Sequence, residues 1–194
     1  MDAMTDAAAP ARAGSDADLM DRVREGETER LALLFDRHHR RLYGFFLRLT
    51  GSRAVAEDLV QEVFVRMLRY RQTFRPGAEF APWMYTLARN AAHDHWRSRP
   101  RELEMTEETP EPVAPEAHPL AGLEAADASR RLAAALARLD PAKRELLLMA
   151  RSGELRYQAI GELLGITEGA VKLRVHRAMK DLRAAWQAAG EVGA

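Results

Sequence analysis

Apolar residues recur along this chain at helical spacing in two long stretches, with an interval between them that has no such pattern. Leu31, Leu34, Phe35, Leu42, Phe45 and Leu49 follow a 3.6-residue period that stops at Gly51. Leu59, Val60, Val63, Phe64, Met67 and Leu68 mark a second amphipathic helix, ending before Pro76-Gly77. A third is expected to start at Pro82, which suits a first helical turn, and to carry Trp83, Leu87, Ala88 and Ala91. Periodicity resumes with Leu132, Leu136 and Leu139. Asp140-Pro141 then pairs a cap with a first-turn proline, and the helix it opens runs to about Arg151 and stops near Gly153. Two more helices follow. No alternating β-branched run occurs and no internal repeat is found, so the pattern predicts an all-α protein: two small helical domains joined by a flexible acidic linker.

The domain limits come from composition. Residues 1–18 are Ala, Asp and Gly without periodicity and are expected to form a disordered tail. Residues 19–100 form the first domain. Residues 101–127 form the linker, whose prolines and glutamates cannot bury a core. Residues 128–190 form the second domain. The formal net charge of zero conceals alternating blocks: −3 over 1–18, +6 over 19–101, −8 over 102–127 and +5 over 128–194. Two basic blocks around an acidic strip suit two polyanion-facing modules.

The segment from Tyr157 to Arg183 has helix-turn-helix spacing. Gly161 falls where the helices must cross, Gly165 closes the first in a left-handed cap, and Thr167 can cap the second. Ile160, Leu164, Ile166 and Val171 supply a small core. Along the second helix Val171, Val175, Ala178 and Leu182 point inward, while Gly169, Lys172, Leu173, His176 and Lys180 line the other face. That face can enter a major groove. Lys172 can reach phosphate or guanine edges, Leu173 a thymine methyl, and Arg174 and Arg177 flank the face as phosphate holders. An ordinary helical hairpin with a solvated basic face is the alternative.

Further motifs carry a resemblance. Asp58-Leu-Val-Gln-Glu-Val-Phe64 resembles the core-polymerase-binding helix of bacterial sigma-70 family factors, and 73–97 resembles their promoter-melting, −10-reading segment. The stretch 157–183, especially Val171-Lys-Leu-Arg-Val-His-Arg177, resembles their −35-reading module. The order and separation are those of the extracytoplasmic-function (ECF) group of RNA polymerase sigma factors. The resemblance implies that Asp58, Gln61 and Glu62, which share a helix face, meet the β′ clamp helices of core polymerase, with the second domain on the β flap. It implies −35 contacts from Thr167, Gly169, Lys172, Leu173, Arg174, His176 and Arg177. It also implies −10 contacts from Phe74, Arg75, Phe80, Trp83, Arg89, Asn90 and Arg97. Aromatic faces can stack unstacked bases, Asn90 can read a base edge, and Arg89 and Arg97 can hold phosphates. At least half of the aromatics are expected to be core, Trp83 and Phe80 first among them. The loop Thr73–Glu79 is the candidate for setting −10 specificity. The linker glutamates (Glu102, Glu104, Glu107, Glu108, Glu111, Glu116) are either a nucleic-acid mimic on the RNA exit path or a solubilising spacer.

The sequence departs from the family pattern at Arg156, where relatives often carry a capping Ser or Thr, and at Leu173 and His176, which occupy variable reading positions. Expected partners are core RNA polymerase, promoter DNA and an anti-sigma factor. No cofactor, metal or catalysis is expected: His93 and His95 diverge on a helix, cysteine is absent, and no nucleophile or phosphate-loop motif occurs. With no signal peptide or membrane span recognised, a cytoplasmic location is expected. The other function considered is a stand-alone regulator, with the helix-turn-helix as output and the N-terminal helices as sensor or dimerisation domain.

Overall fold

The computed structural model describes residues 14–98 and 122–191. The linker glutamates 102–116 lie outside the described residues, as does most of the expected N-terminal tail. All the regular elements among the described residues are helical: α1 (Asp16–Glu25), α2 (Leu31–Thr50), α3 (Arg53–Arg69), α4 (Phe80–Ser98), α5 (Gly122–Ala137), α6 (Pro141–Arg151), α7 (Tyr157–Leu164) and α8 (Glu168–Glu191), with short 3-10 turns at Thr28–Arg30 and Arg71–Thr73.

The first helix begins inside the stretch expected to be tail. Ser15 accepts a hydrogen bond from the Asp18 amide, and the Asp18 carboxylate accepts one from the Ser15 amide. This reciprocal cap uses Asp where the usual pattern has Glu or Gln, so Asp16 and Asp18 are first-turn acids on the positive end of a helix dipole. Leu19, Met20 and Val23 then bury against the bundle.

α2 and α3 form an antiparallel pair. Gly51, at φ 76°, ends α2 in the left-handed cap, and the Ser52 hydroxyl accepts from the Val55 amide to start α3. The inward stripe of α3 includes Val55, Leu59, Val60, Val63, Phe64 and Met67. Leu68, expected on that stripe, is exposed instead: it follows Met67 around the helix onto the outer face. α4 starts at Phe80, two residues before the expected Pro82, and buries Ala88, Ala91 and Ala92, whose small side chains let it lie close on α3.

In the C-terminal half α5 starts within the stretch assigned to the linker and packs along α8. Asp140 caps α6 through the Ala142 and Lys143 amides, with Pro141 at the first position. α6 and α7 both lie on α8. The halves are not held apart. α2 packs on α6 and α4 on α7, so the buried apolar cluster runs from Leu19 in α1 to Ala178 in α8. Arg144 of α6 donates to the Leu49 carbonyl at 2.9 Å, on the negative end of α2.

Candidate nucleic-acid interface

α7 and α8 cross at Gly161. A Cβ built there would lie 2.6 Å from the Ile166 carbonyl oxygen, closer than any side chain tolerates, so this crossing requires glycine. Gly165 follows in the left-handed region at φ 66°, and the Ile166 amide returns to the Gly161 carbonyl at 2.9 Å. The Thr167 hydroxyl accepts from the Ala170 amide at 3.2 Å, opening α8. At the start of α7, Arg156 makes no side-chain cap.

The angle so fixed points one face of α8 outward. Val171, Val175 and Ala178 are buried. Gly169, Lys172, Leu173, Arg174, His176, Arg177 and Lys180 are exposed, together with Thr167 at the helix start. Leu173 is 50 % exposed, an apolar contact set within this polar face. Lys172 Nζ rests 2.7 Å from Glu168 Oε1, and that bond raises its pKa. The lysine therefore stays cationic and has only a solvent-exposed contact to give up on meeting a phosphate.

The residues expected to face a melted strand divide. Phe74 is 1 % exposed and Phe80 4 % exposed, so neither offers a face to a base and both are removed from the candidate contacts. Phe74 packs edge-on against Trp83, with centroids 5.3 Å apart, and Phe80 packs against the His38 ring at 5.1 Å. Trp83 is half-buried, and its indole N–H donates to the Thr73 hydroxyl at 3.1 Å, tying α4 to the loop before it. Arg75, Asn90 and Arg97 are exposed, with Arg97 3.2 Å from Asp94. Trp83, Arg75 and Glu79 face Arg156, Gln158 and Glu162 of the helix-turn-helix half across an open cleft of about 540 Å³.

On α3, Asp58 and Gln61 are exposed side by side. Glu62 is engaged: Arg66 Nε donates to it at 2.6 Å, while Arg66 Nη1 reaches Asp94 of α4 at 2.9 Å. Val65 and Leu68 continue the Asp58–Gln61 face as exposed apolar positions. Their spacing from Asp58 and Gln61 was in the sequence, but both sit beside core residues in a stretch, Val63 to Leu68, interrupted only by Arg66.

Sequence reasoning missed a polar seam between the halves. Glu154, after α6, receives Arg41 at 2.6 Å and lies 3.5 Å from Nδ1 of His38, whose Nε2 meets Asp16 at 2.8 Å. Burial opposes protonation of the His38 ring, but the bonds and charges of Glu154 and Asp16 outweigh it and raise the pKa. Burial likewise works against the Glu154 carboxylate, and His38 and Arg41 overcome it, lowering the pKa. Burial and the nearby Glu154 charge hold the Tyr85 phenol protonated far above its usual range. A second carboxylate, Glu145 of α6, lies 3.3 Å from both Arg89 Nε and His93 Nε2 of α4.

Among the described residues no cluster of three or more His, Asp or Glu is arranged to hold a metal, and no helix is long and apolar enough to cross a membrane.

Comparison with known proteins places this geometry. Residues 34–102 match Sigma-70 region 2 and residues 129–182 match Sigma-70, region 4. The RNA polymerase sigma factor CarQ of Myxococcus xanthus is 36 % identical over 166 residues, covering 84 % of this chain and 93 % of CarQ. The ECF RNA polymerase sigma factor SigL of Mycobacterium tuberculosis is 33 % identical over 165 residues, with the same two coverages. Among solved structures, CnrH in complex with the cytosolic domain of CnrY shares the fold at a TM-score of 0.68 and 23 % identity, covering 90 % of this chain and 99 % of that one. The sigma factor RpoE bound to the anti-sigma factor NepR from Bartonella quintana shares it at 0.65 and 24 %, covering 80 % and 96 %.

Proposed function

Since the chain belongs to the ECF group of sigma-70 family RNA polymerase sigma factors, we propose that its exposed surfaces divide the work of promoter-specific initiation in a defined way. The outward face of α8, from Thr167 through Arg177, reads the −35 element as duplex. Arg75, Trp83, Arg89, Asn90 and Arg97, around the start and outer face of α4, hold the −10 strand once it is melted. Phe74 and Phe80 do not touch DNA in this reading; they brace Trp83 and the loop 73–79. Asp58 and Gln61, with Val65 and Leu68 beside them, dock on the β′ clamp helices of core polymerase, and the C-terminal half meets the β flap.

The single observation that carries this reading is the α7–α8 crossing. A contact so tight that only glycine fits at 161 fixes an exposed row of Lys172, Leu173, His176 and Arg177, the mix of cations and an apolar contact that a major groove accepts. RpoE is captured with an anti-sigma factor, and a partner of that kind is proposed here, acting in the cytoplasm. The chain performs no catalysis of its own in this account; chemistry belongs to the polymerase.

The test is run-off transcription. With core polymerase and a promoter selected by the chain, addition of the protein yields a discrete transcript. Lys172→Ala and Arg177→Ala lower it while leaving core binding intact, and Asp58→Ala lowers core binding while leaving duplex contact intact. An exchange of the two classes of effect overturns the residue assignments.

A further inference from the structure

Two promoter elements named for positions −35 and −10 lie about 25 base pairs apart, roughly 85 Å along a duplex at about 3.4 Å per pair. A packed chain of this length is only about 40 Å across. With α4 against α7, the two reading surfaces share one body. The packed arrangement is therefore a state that has to open before both elements are read, and the question is what its seam does to DNA binding while closed.

Glu145 supplies a specific answer. It is 6 % exposed, although a carboxylate in the run Glu-Leu-Leu-Leu-Met149 has no role in the helix itself. Its Oε1 sits 3.3 Å from Arg89 Nε and 3.3 Å from His93 Nε2, on the face of α4 assigned above to the strand's phosphates. Neither Oε1 nor Arg89 Nε makes a well-aligned hydrogen bond within the chain. A buried carboxylate held by charge alone is a weak tenant, because desolvation offsets most of its attraction. Next to it, Arg144 inserts on the Leu49 carbonyl, so adjacent residues of α6 plug a negative helix end and a positive helix face at once. The −35 face of α8 is left exposed in the same state.

We propose that Glu145 is a built-in competitor for the promoter strand: its carboxylate stands where a DNA phosphate would sit on Arg89 and His93, and keeps that part of the −10 surface occupied until the two halves separate. This rests on the assignment of Arg89 to strand binding. It extends that assignment to regulation within a single chain, for a ligand class of single-stranded DNA.

The chain has no cysteine, so a donor–acceptor dye pair can be placed with Glu57→Cys and Gln187→Cys, exposed positions on opposite halves. The full-length chain is then titrated with mixed-sequence single-stranded DNA of about 20 nucleotides, longer than one stacking groove needs, following energy transfer and anisotropy together. Saturating DNA should lower transfer in the otherwise unsubstituted chain, and Glu145→Gln should lower transfer without DNA and tighten binding about tenfold. Adding Arg89→Ala to Glu145→Gln should keep transfer low and remove the gain in affinity. If DNA binds the otherwise unsubstituted chain with transfer unchanged, or Glu145→Gln opens the molecule without tightening binding, the competitor role is overturned. The first measurement needs no Glu145 variant to fold. Either failure leaves the sigma-factor role standing, since run-off transcription tests that separately.

Discussion

At Gly161 and Gly169 the same residue type serves opposite purposes. Gly161 is required by contact with the Ile166 backbone, and Gly161→Ala is expected to cost about 1–3 kcal/mol by overpacking, read as a lowered thermal midpoint. Gly169 has nothing within 4 Å of a built Cβ, so Gly169→Ala should leave stability unchanged or raise it by up to about 1 kcal/mol. Any loss of −35-dependent initiation in that variant then reports on the groove, not on the fold. His38 and Glu154 make a prediction in pH. The raised pKa of His38 means that its stabilising contribution is complete below the unfolded value of 6.5 and is lost as pH climbs through the folded value. The lowered pKa of Glu154 means that its contribution is complete above 4.5 and is lost as pH falls through the folded value. The charges facing this pair are Asp16 from α1 and Arg41 from α2. Denaturant unfolding should show greatest stability between the two limits, and His38→Gln should flatten the decline on the alkaline side.

At the scale of the element, how much was legible depended on periodicity. The two faces of α8 could be read directly because burial alternates every three to four residues, and Val171, Val175 and Ala178 are buried where the period put them. The Asp140-Pro141 start of α6 was legible for a local reason, since cap and first turn are adjacent in sequence. The start of α1 was missed because Ser15 and Asp18 cap each other within an Ala- and Asp-rich stretch that looks like tail. The burial of Phe74 was not legible, because it lies in the short segment between α3 and α4, where no period assigns a side. Its environment is set by Trp83 and Phe80, which reach it from α4. Trp83→Phe is therefore expected to loosen the loop 73–79 by removing the bond to Thr73. A rise in amide exchange confined to that loop, with α3 and α8 unchanged, is the result to look for in hydrogen-exchange mass spectrometry.

At the scale of the molecule, the alternating charge blocks marked two basic modules but gave no sign that they pack together. The seam is built from residues far apart in the chain: Arg41 with Glu154, and Arg89 and His93 with Glu145. In one dimension each of these looks like a solvated surface charge. Only the packing of α6 and α7 against α2 and α4 brings them together, largely burying the two carboxylates while Arg41 stays exposed. Run-off transcription shows whether this chain turns core polymerase into a promoter-specific enzyme. A discrete transcript should form only when core enzyme and this chain are both present, and should be lost in Lys172→Ala with core binding retained. Tight promoter binding by the chain alone, with no initiation added to core polymerase, would contradict it.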